Sequence, residues 1–208
     1  MQRGPQTARY DALTDSVKWY RLIALTALIP FTSGALAAPA ATVEAVRPPA
    51  WFGYADTWSP ATAGLHLNAR NRIRTGPGGR VLLRLAEGSE LRIGADTSFM
   101  IVAFDPPAMA DSPFRGALEL ARGALRFTTT QLSQHHRREL DIRVARVNAG
   151  ISGTDVWAKA TPENDMVCLL EGRISVAHGD DEPTTMDRPL TFFVVPKGEP
   201  AKPIAEVK

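Results

Sequence analysis

The sequence predicts an all-β domain, and two observations carry this prediction. Apolar and polar residues alternate with a period of two in short runs such as Val81–Leu85, Leu140–Val144 and Thr154–Ala160, which is typical of strands with one buried face. Glycines recur between these runs, and no stretch after residue 38 has the period of an amphipathic helix. We therefore expect a single domain of stacked antiparallel hairpins, in a stacked or β-solenoid-like arrangement, after an N-terminal signal helix.

Residues 1–38 have the layout of a secretory signal peptide. Met1–Arg21 is polar with several basic residues, Leu22–Leu36 is apolar and uncharged, and small residues follow at the cleavage positions. The alternative is an uncleaved signal anchor in the inner membrane, although the apolar run is short for a span and contains Pro30. Both interpretations predict a periplasmic or secreted domain, and membrane contact is expected only through an uncleaved signal segment.

Residues 39–63 form an N-terminal segment rich in aromatic side chains. Trp51, Phe52, Tyr54 and Trp58 fall close together after Pro48-Pro49. One interpretation is an opening strand whose rings cover the end of the core. The other is a surface that binds a partner, because clustered exposed aromatic rings mark interfaces. Trp51 and Trp58 are therefore candidate partner-binding residues.

Residues 64–195 are predicted to form the β domain. Asn68–Gly79 is rich in turn-forming residues, and the two short alternating runs on either side of Gly88 predict a hairpin. Further strands are predicted at Phe99–Phe104, Leu118–Leu120, Leu125–Phe127 and Leu140–Val144, with a turn at Arg122-Gly123 between the second and third. A weak repeat, in which Gly88, Gly123 and Gly172 each separate two strands, favours the stacked arrangement. Residues 196–208 are predicted to be a flexible tail.

A glycine-rich stretch at Ala145–Val176 organises the domain. Gly150 and Gly153 are expected to bracket a tight bend, with positive φ at Gly153, and Thr154 and Asp155 to fix the bend through bonds to nearby backbone groups. The following strand runs to Ala160. Met166–Leu170 is a short apolar run that predicts a strand buried on both faces, and Glu171-Gly172 separates it from the next strand, which contains Ile174 and Val176.

Trp157 is the unusual residue of that strand. It shares its face with Asp155 and Lys159, whereas Val156 and Ala158 point to the opposite side. Two interpretations stay open. Another layer of the protein covers the ring, or Trp157 is a partly exposed anchor for a partner, as interface hot spots favour tryptophan.

These motifs resemble the FecR domain, a periplasmic β module of Gram-negative bacteria. The family pattern is an apolar residue followed by Arg-Gly-Thr and later by Glu-Gly-x-Val, and this chain has Ser152 where the family usually has arginine. Upstream, Arg74-Thr75-Gly76 and Gly88-Ser89 match a second family segment, with Glu87 in place of aspartate. The resemblance spans residues 64–176. It includes the motif residues Gly150, Gly153, Thr154, Asp155 and Gly172, for which the residue pattern predicts structural roles.

The residue types that carry chemistry do not form a known catalytic motif. Ser152 lacks the spacing of a nucleophile elbow, and His135 and His136 lie beside two arginines that would repel a metal ion. Cys168 is the single cysteine and sits in an apolar run, so it is expected to be a buried hydrophobic residue. A net charge of +2 gives no indication of nucleic acid. We therefore expect a non-enzyme without cofactor, metal or nucleic acid.

Three functions remain open from the sequence. The resemblance implies signalling, since FecR proteins carry signals from outer-membrane receptors to a cytoplasmic sigma factor. In the full-length regulators a helical anti-sigma domain precedes the membrane span, and Met1–Arg21 is too short for one. We therefore expect a stand-alone module that binds an envelope protein or a cell-wall glycan. The alternatives are an envelope hydrolase using Ser152 or a histidine, and a purely structural envelope domain.

Overall fold

The computed structural model describes residues 38–105, 112–129 and 138–206, and this part of the chain folds into two β-sheets that share one core. The prediction of an all-β domain is confirmed. In chain order the strands are β1 (Ala41–Arg47), β2 (Ala50–Tyr54), β3 (Thr57–Pro60), β4 (His66–Leu67), β5 (Arg72–Thr75), β6 (Arg80–Leu85), β7 (Glu90–Ile93), β8 (Ser98–Asp105), β9 (Phe114–Thr128), β10 (Arg138–Val144), β11 (Val147–Ile151), β12 (Asp155–Ala160), β13 (Asn164–Glu171), β14 (Ile174–His178), β15 (Thr184–Met186), β16 (Thr191–Pro196) and β17 (Ala205–Glu206).

The two layers are named sheet A and sheet B here. Sheet A has the strand order β4-β1-β6-β7-β9-β12-β13-β16-β17, and all its neighbours are antiparallel. Sheet B has the order β3-β2-β5-β8-β9-β10-β11-β14-β15. Its strands are antiparallel except that β9 and β10 run parallel. The expected antiparallel pairing therefore fails at this one pair, where the chain returns to start a new hairpin beside β9.

Strand β9 belongs to both sheets. Its first part pairs with β8 and β10 in sheet B, and its last residues pair with β7 and β12 in sheet A. Gly123 lies at the change of sheet with φ +95°, and a Cβ there would lie 2.2 Å from the hydroxyl oxygen of Thr97. The predicted turn at Arg122-Gly123 is thus wrong. The glycine bends one long strand from layer to layer and does not reverse the chain.

Beyond β9 the hairpins alternate between the layers. The pair β10–β11 lies in sheet B, β12–β13 in sheet A, β14–β15 in sheet B and β16–β17 in sheet A. This winding agrees with the stacked, solenoid-like arrangement expected from the repeat. Of the repeat glycines, Gly88 and Gly172 also have positive φ, at 95° and 91°, and lie between successive strands.

The core consists of the inner faces of the two sheets. Leu140, Ile142 and Val144 are buried while Asp141 and Arg143 between them are exposed, as the alternation predicts. The largest fully buried side chains come from both layers: Phe99, Phe127, Leu67, Ile73, Leu83, Leu85, Leu91, Ile93, Ile101, Leu118, Leu120 and Leu125. Antiparallel sheets commonly bury one face and leave the other solvated, so the outer faces of sheets A and B are where a partner can bind.

Several segments differ from the sequence-based expectation. Asn68–Gly79 contains strand β5, because Ile73 and Thr75 are buried between β2 and β8 despite the turn-forming residues around them. Part of the predicted tail pairs with β16 through β17, and Glu206 accepts a hydrogen bond from Arg188 at 3.1 Å. The predicted signal segment before residue 38 and the pair His135 and His136 lie outside the described residues. Within the described ranges no helix is long and apolar enough to cross a membrane.

Candidate functional site

The predicted glycine bend has a different physical basis from the one expected. Ser152 and Gly153 connect β11 to β12, but Gly153 does not have positive φ, and a Cβ there would meet nothing within 4 Å. Gly150 lies inside β11, opposite Asp141 and Ser175, where a Cβ would lie 2.7 Å from the Ser175 hydroxyl oxygen. The expectation of positive φ at Gly153 is therefore wrong, and a side chain at Gly150 would require the Ser175 hydroxyl to move.

Gly172 is the glycine of this region whose conformation matters most. Its φ of +91° lies in the left-handed region, and a Cβ there would lie 2.7 Å from the carbonyl oxygen of Gly153. Side chains with a Cβ rarely adopt this backbone conformation. The link between β13 and β14 thus passes closely over the link between β11 and β12.

Thr154 and Asp155 bond across strands, which differs from the expected local bonds within the bend. The Thr154 amide donates to Thr129 Oγ1 at 3.0 Å, and Asp155 accepts hydrogen bonds from Arg126 and Thr128 on β9. The bond to Asp155 raises the pKa of Arg126. These residues join β12 to β9, because Arg126 and Asp155 are near neighbours on adjacent strands.

A series of buried side-chain hydrogen bonds continues from Thr129, and the sequence analysis did not predict it. Arg138 Nη1 donates to Thr129 Oγ1 at 2.9 Å and to Ser89 Oγ at 3.2 Å, and Ser89 donates to Glu87 through its amide and its hydroxyl. The Arg138 and Glu87 side chains are 1% and 0% exposed, with 4.0 Å between Nη2 and Oε2. Burial lowers the pKa of Arg138, and the charge of Glu87 opposes this shift. The only sequence signal was Glu87 in place of the family aspartate.

The motif residues of the glycine-rich stretch gather around a small cavity. Its volume is about 280 Å³, and its lining includes Ser152, Gly153, Thr154, Asp155 and Gly172. The structure thus brings four of the predicted motif residues together, while Gly150 lines a separate hollow on the outer face of sheet B. The contacts of these residues are structural, since they join neighbouring strands and links.

Trp157 lies on the outer face of sheet A and is partly exposed. It belongs to a row of directly opposite residues that includes Leu82, Arg92 and Arg126 on β6, β7 and β9. Asp155 and Lys159 share its face, and Val156 and Ala158 are buried, as the alternation predicts. The ring therefore stands on the solvated side of the sheet.

A groove runs beside Trp157 on this face, and we call it the sheet A groove. It has a volume of about 450 Å³ and is lined by Ala45, Val46, Arg47, Arg80, Val81, Leu82, Arg92, Ile93, Gly94, Ala124, Leu125, Arg126 and Trp157. The hollow forms because Gly94 and Ala124 occupy adjacent outward positions, where the Gly94 amide donates to the Ala124 carbonyl at 2.8 Å. Small side chains there leave a depression between Trp157 and the strands β1 and β6.

Arginines form the rim of the sheet A groove, and its lining contains no acidic residue. Arg126 is paired with Asp155, and Arg92 with Glu90 at 2.6 Å. Arg47 and Arg80 face each other across β1 and β6, are exposed, and have no ion pair within the described part of the chain. The groove therefore combines an apolar floor, one tryptophan and unbalanced positive charge.

Trp51 and Trp58 lie on the other sheet, so the structure does not bring them together with Trp157. Trp58 is packed over Gly53 and carries the guanidinium groups of Arg74 and Arg72 at 4.1 and 5.3 Å from its ring centroid. Trp51 is 38% exposed on the neighbouring strand. Cation–π stacking with two arginines accounts for the position of Trp58 within the domain, and Trp51 is the more open of the two rings.

The described residues give little support for catalysis. Ser152 directly follows Ile151, which pairs with Ile174 at one end of the β11–β14 strand pair. His178 lies at the other end of this pair, about 13 Å from Ile174 along the strand. His66 bonds Thr42 at 3.2 Å in sheet A. Cys168 is buried, and burial raises the pKa of its thiol. Among the described residues, no group of three potential metal-ligating side chains lies together.

Comparisons with known proteins identify a family and a fold. The family model described as FecR protein matches residues 71–175, half of the chain. Two crystal structures of a proposed anti-sigma factor from Parabacteroides distasonis ATCC 8503, at 2.50 and 1.65 Å resolution, are similar in fold, with a TM-score of 0.50 and 14% identity for each. The match covers 65% of this chain and 59% of those chains, so this chain spans about three-fifths of their length. No curated protein matches the chain.

Proposed function

Because the chain belongs to the FecR protein family, we propose that it is a non-enzymatic signalling module of the cell envelope that acts by binding another macromolecule. The observation that carries this proposal is the sheet A groove. A partly exposed tryptophan and arginines surround an apolar hollow on a solvated sheet face. Tryptophan and arginine are the residues most enriched at binding hot spots. The anti-sigma description of the similar crystal structures is consistent with a signalling role.

The proposed location is the periplasm. It rests on the n-region, apolar region and small-residue cleavage site at Met1–Ala38. The intact mass of the protein from an envelope fraction tests it, and a chain that begins just after Ala37 or Ala38 is expected. A full-length species embedded in the inner membrane would contradict cleavage and support the signal anchor.

An envelope protein is the proposed class of partner, and a cell-wall glycan is the second candidate. Glycan sites usually present several hydrogen-bonding side chains next to an aromatic ring, whereas the groove offers mainly apolar side chains and guanidinium groups. The candidate hydrolase is less well supported because Ser152 is far from His178 along the sheet. A purely structural role predicts that no binding depends on Trp157.

Capture from an envelope extract tests the proposed function. The immobilised protein, its Trp157→Ala variant and its Tyr54→Ala variant are compared, with mass spectrometry of what each retains. Tyr54 is a suitable control because it is 56% exposed on β2 of sheet B, away from the groove. We expect that the wild type and Tyr54→Ala retain the same envelope protein and that Trp157→Ala does not retain it. Identical retention by all three would contradict the proposal, and a retained species that is a glycan would change the class of partner.

A further inference from the structure

We propose that the sheet A groove binds an acidic peptide segment with an apolar side chain, which rests on the proposed function and names the chemistry of its partner. An apolar side chain would enter the hollow beside Trp157. Carboxylates on either side of it would contact the arginines of the rim. The occupant is thus a short stretch of a partner protein in which aspartate or glutamate flanks an apolar residue.

The shape of the floor supports an apolar anchor. Ala45, Leu82 and Ala124 present methyl groups to the groove, and Gly94 adds no side chain to its floor. The wall opposite β1 and β6 is the indole of Trp157, which stands directly across from Arg126. Binding of an apolar side chain to an apolar surface with an aromatic wall is favourable, because it removes apolar area from water.

The charge of the rim supports carboxylates around that anchor. Arg126 and Arg92 already have acidic partners, Asp155 and Glu90. Arg47 and Arg80, in contrast, are two exposed like charges directly opposite each other on adjacent strands, without an ion pair in the part of the chain that the structure describes. Like charges placed opposite each other are destabilising, so a carboxylate bound between them relieves repulsion and gains charge-assisted hydrogen bonds.

The spacing of apolar and cationic side chains on the outer face of sheet A also suits such a segment. One row of outward-facing residues crosses the strands of sheet A and contains Leu82, Arg92, Arg126 and Trp157. Two positions further along the strands, the next row contains Arg47, Arg80, Gly94 and Ala124. Apolar and cationic groups therefore lie within one or two strand spacings, roughly 5–10 Å, of each other. This distance suits neighbouring side chains of one peptide.

Isothermal titration of the whole protein with synthetic peptides tests the inference. The probe is a short, terminally blocked peptide with one leucine flanked on both sides by glutamates, and the matched probes replace the glutamates by lysines or by glutamines. We expect binding of the glutamate peptide only, with an affinity that falls as the salt concentration rises. Binding of the lysine or glutamine peptide with the same affinity would overturn the inference.

Variants locate the bound peptide. Arg80→Glu should lower the affinity for the glutamate peptide by about tenfold or more. Ala124→Leu, which fills the hollow without changing the charge, should lower it by a similar factor. Arg143→Glu is the matched control, because Arg143 is exposed on sheet B and has no described ion pair. Equal losses in Arg80→Glu and Arg143→Glu would show unspecific charge attraction and overturn the inference. Thermal melts verify that each variant is folded.

A second probe separates this inference from the proposed function. Oligogalacturonate, an anionic glycan fragment, is titrated in parallel. Binding of this probe but not of the glutamate peptide would overturn the assignment to a peptide. If neither probe binds while the capture of an envelope protein still depends on Trp157, the acidic-segment inference fails and the proposed function stands.

Discussion

Arg138 and Glu87 form an ion pair inside the protein, 4.0 Å apart and with side chains 1% and 0% exposed. It links the first hairpin of sheet A, where Glu87 lies between β6 and β7, to the start of β10 in sheet B. Ser89 and Thr129 complete the chain of hydrogen bonds on either side of Arg138. This buried pair therefore connects the two layers through polar contacts.

Removing the arginine is expected to be costly. Arg138→Met leaves Glu87 as a buried charge without its counter-ion and should lower the free energy of unfolding by about 3–5 kcal/mol. Adding Glu87→Gln to this variant should restore part of the loss, because no buried charge then remains. Urea unfolding measures both. The control is Arg115→Met, which breaks the exposed pair with Glu139 and should change stability by less than about 1 kcal/mol. Equal losses for Arg138→Met and Arg115→Met would contradict the role of the buried pair.

Gly123 should tolerate a side chain far less well than Gly153. At Gly123 a Cβ would lie 2.5 Å from the Cα of Thr97, and φ is +95°. Gly123→Ala should therefore lose roughly 1–3 kcal/mol from backbone strain alone, with more from the displacement of Thr97. Gly153→Ala has open space and no positive φ, so we expect a thermal melt close to wild type. A larger loss in Gly153→Ala than in Gly123→Ala would show that the bend between the sheets is not at Gly123.

Trp157→Ala should cost much less stability than truncation of a core ring. Phe127 is 0% exposed on the neighbouring strand, and Phe127→Ala should lose about 3–5 kcal/mol. Trp157 is partly exposed on the outer face, so less apolar area is lost to water when it is truncated. Denaturant unfolding of the two variants gives the comparison. A loss in Trp157→Ala as large as that in Phe127→Ala would identify Trp157 as a core residue.

The rate at which the Cys168 thiol is chemically modified should depend on whether Trp157 covers it. Cys168 is 3% exposed and lies directly opposite Trp157 on one side and Phe192 on the other. Burial raises the pKa of the thiol above its ordinary value, so little thiolate is present at neutral pH. We expect very slow reaction with an aromatic disulfide reagent in the native wild type, fast reaction in guanidinium, and an intermediate rate in Trp157→Ala. Fast reaction of the native wild type would contradict the burial.

The same thiol gives a pH dependence with a defined sign. A raised pKa in the folded state means that the unfolded chain loses its proton first as the pH rises. Ionisation of the thiol therefore has no effect on stability well below the ordinary thiol pKa, and it lowers stability as the pH rises through that value. Comparing the alkaline loss of stability of the wild type with that of Cys168→Ala isolates it. An equal loss in both proteins would show that the thiol does not contribute.

Local alternation was enough to predict most strands but not how the strands change layers. The runs at Val81–Leu85 and Thr154–Ala160 have the predicted burial because period two depends only on neighbouring residues. The bend at Gly123 was mistaken for a turn because a glycine between two apolar runs looks the same in both cases. β5 was missed because its burial depends on β2 and β8, which are distant in sequence.

The candidate site was predictable in part. The unusual side of Trp157 follows from the alternation and pointed to the outer face of sheet A. The rest of the groove comes from β1, β6, β7 and β9, and their order across the sheet sets Arg47 and Arg80 in one row with Gly94 and Ala124. A single sequence does not contain this register. The buried partner of Glu87 was hidden for the same reason, since Arg138 reaches it from a different layer.

Photo-crosslinking at position 157 in cells that produce the protein tests whether the sheet A groove is the binding surface. Trp157 is replaced by a photoreactive phenylalanine, and Tyr54, an exposed ring on sheet B, is replaced in the same way as the control. Binding through the groove predicts an adduct with a second protein at position 157 that disappears when Arg80→Glu is added, and none at position 54. An adduct at position 54 alone, or one at position 157 that Arg80→Glu leaves unchanged, would contradict it.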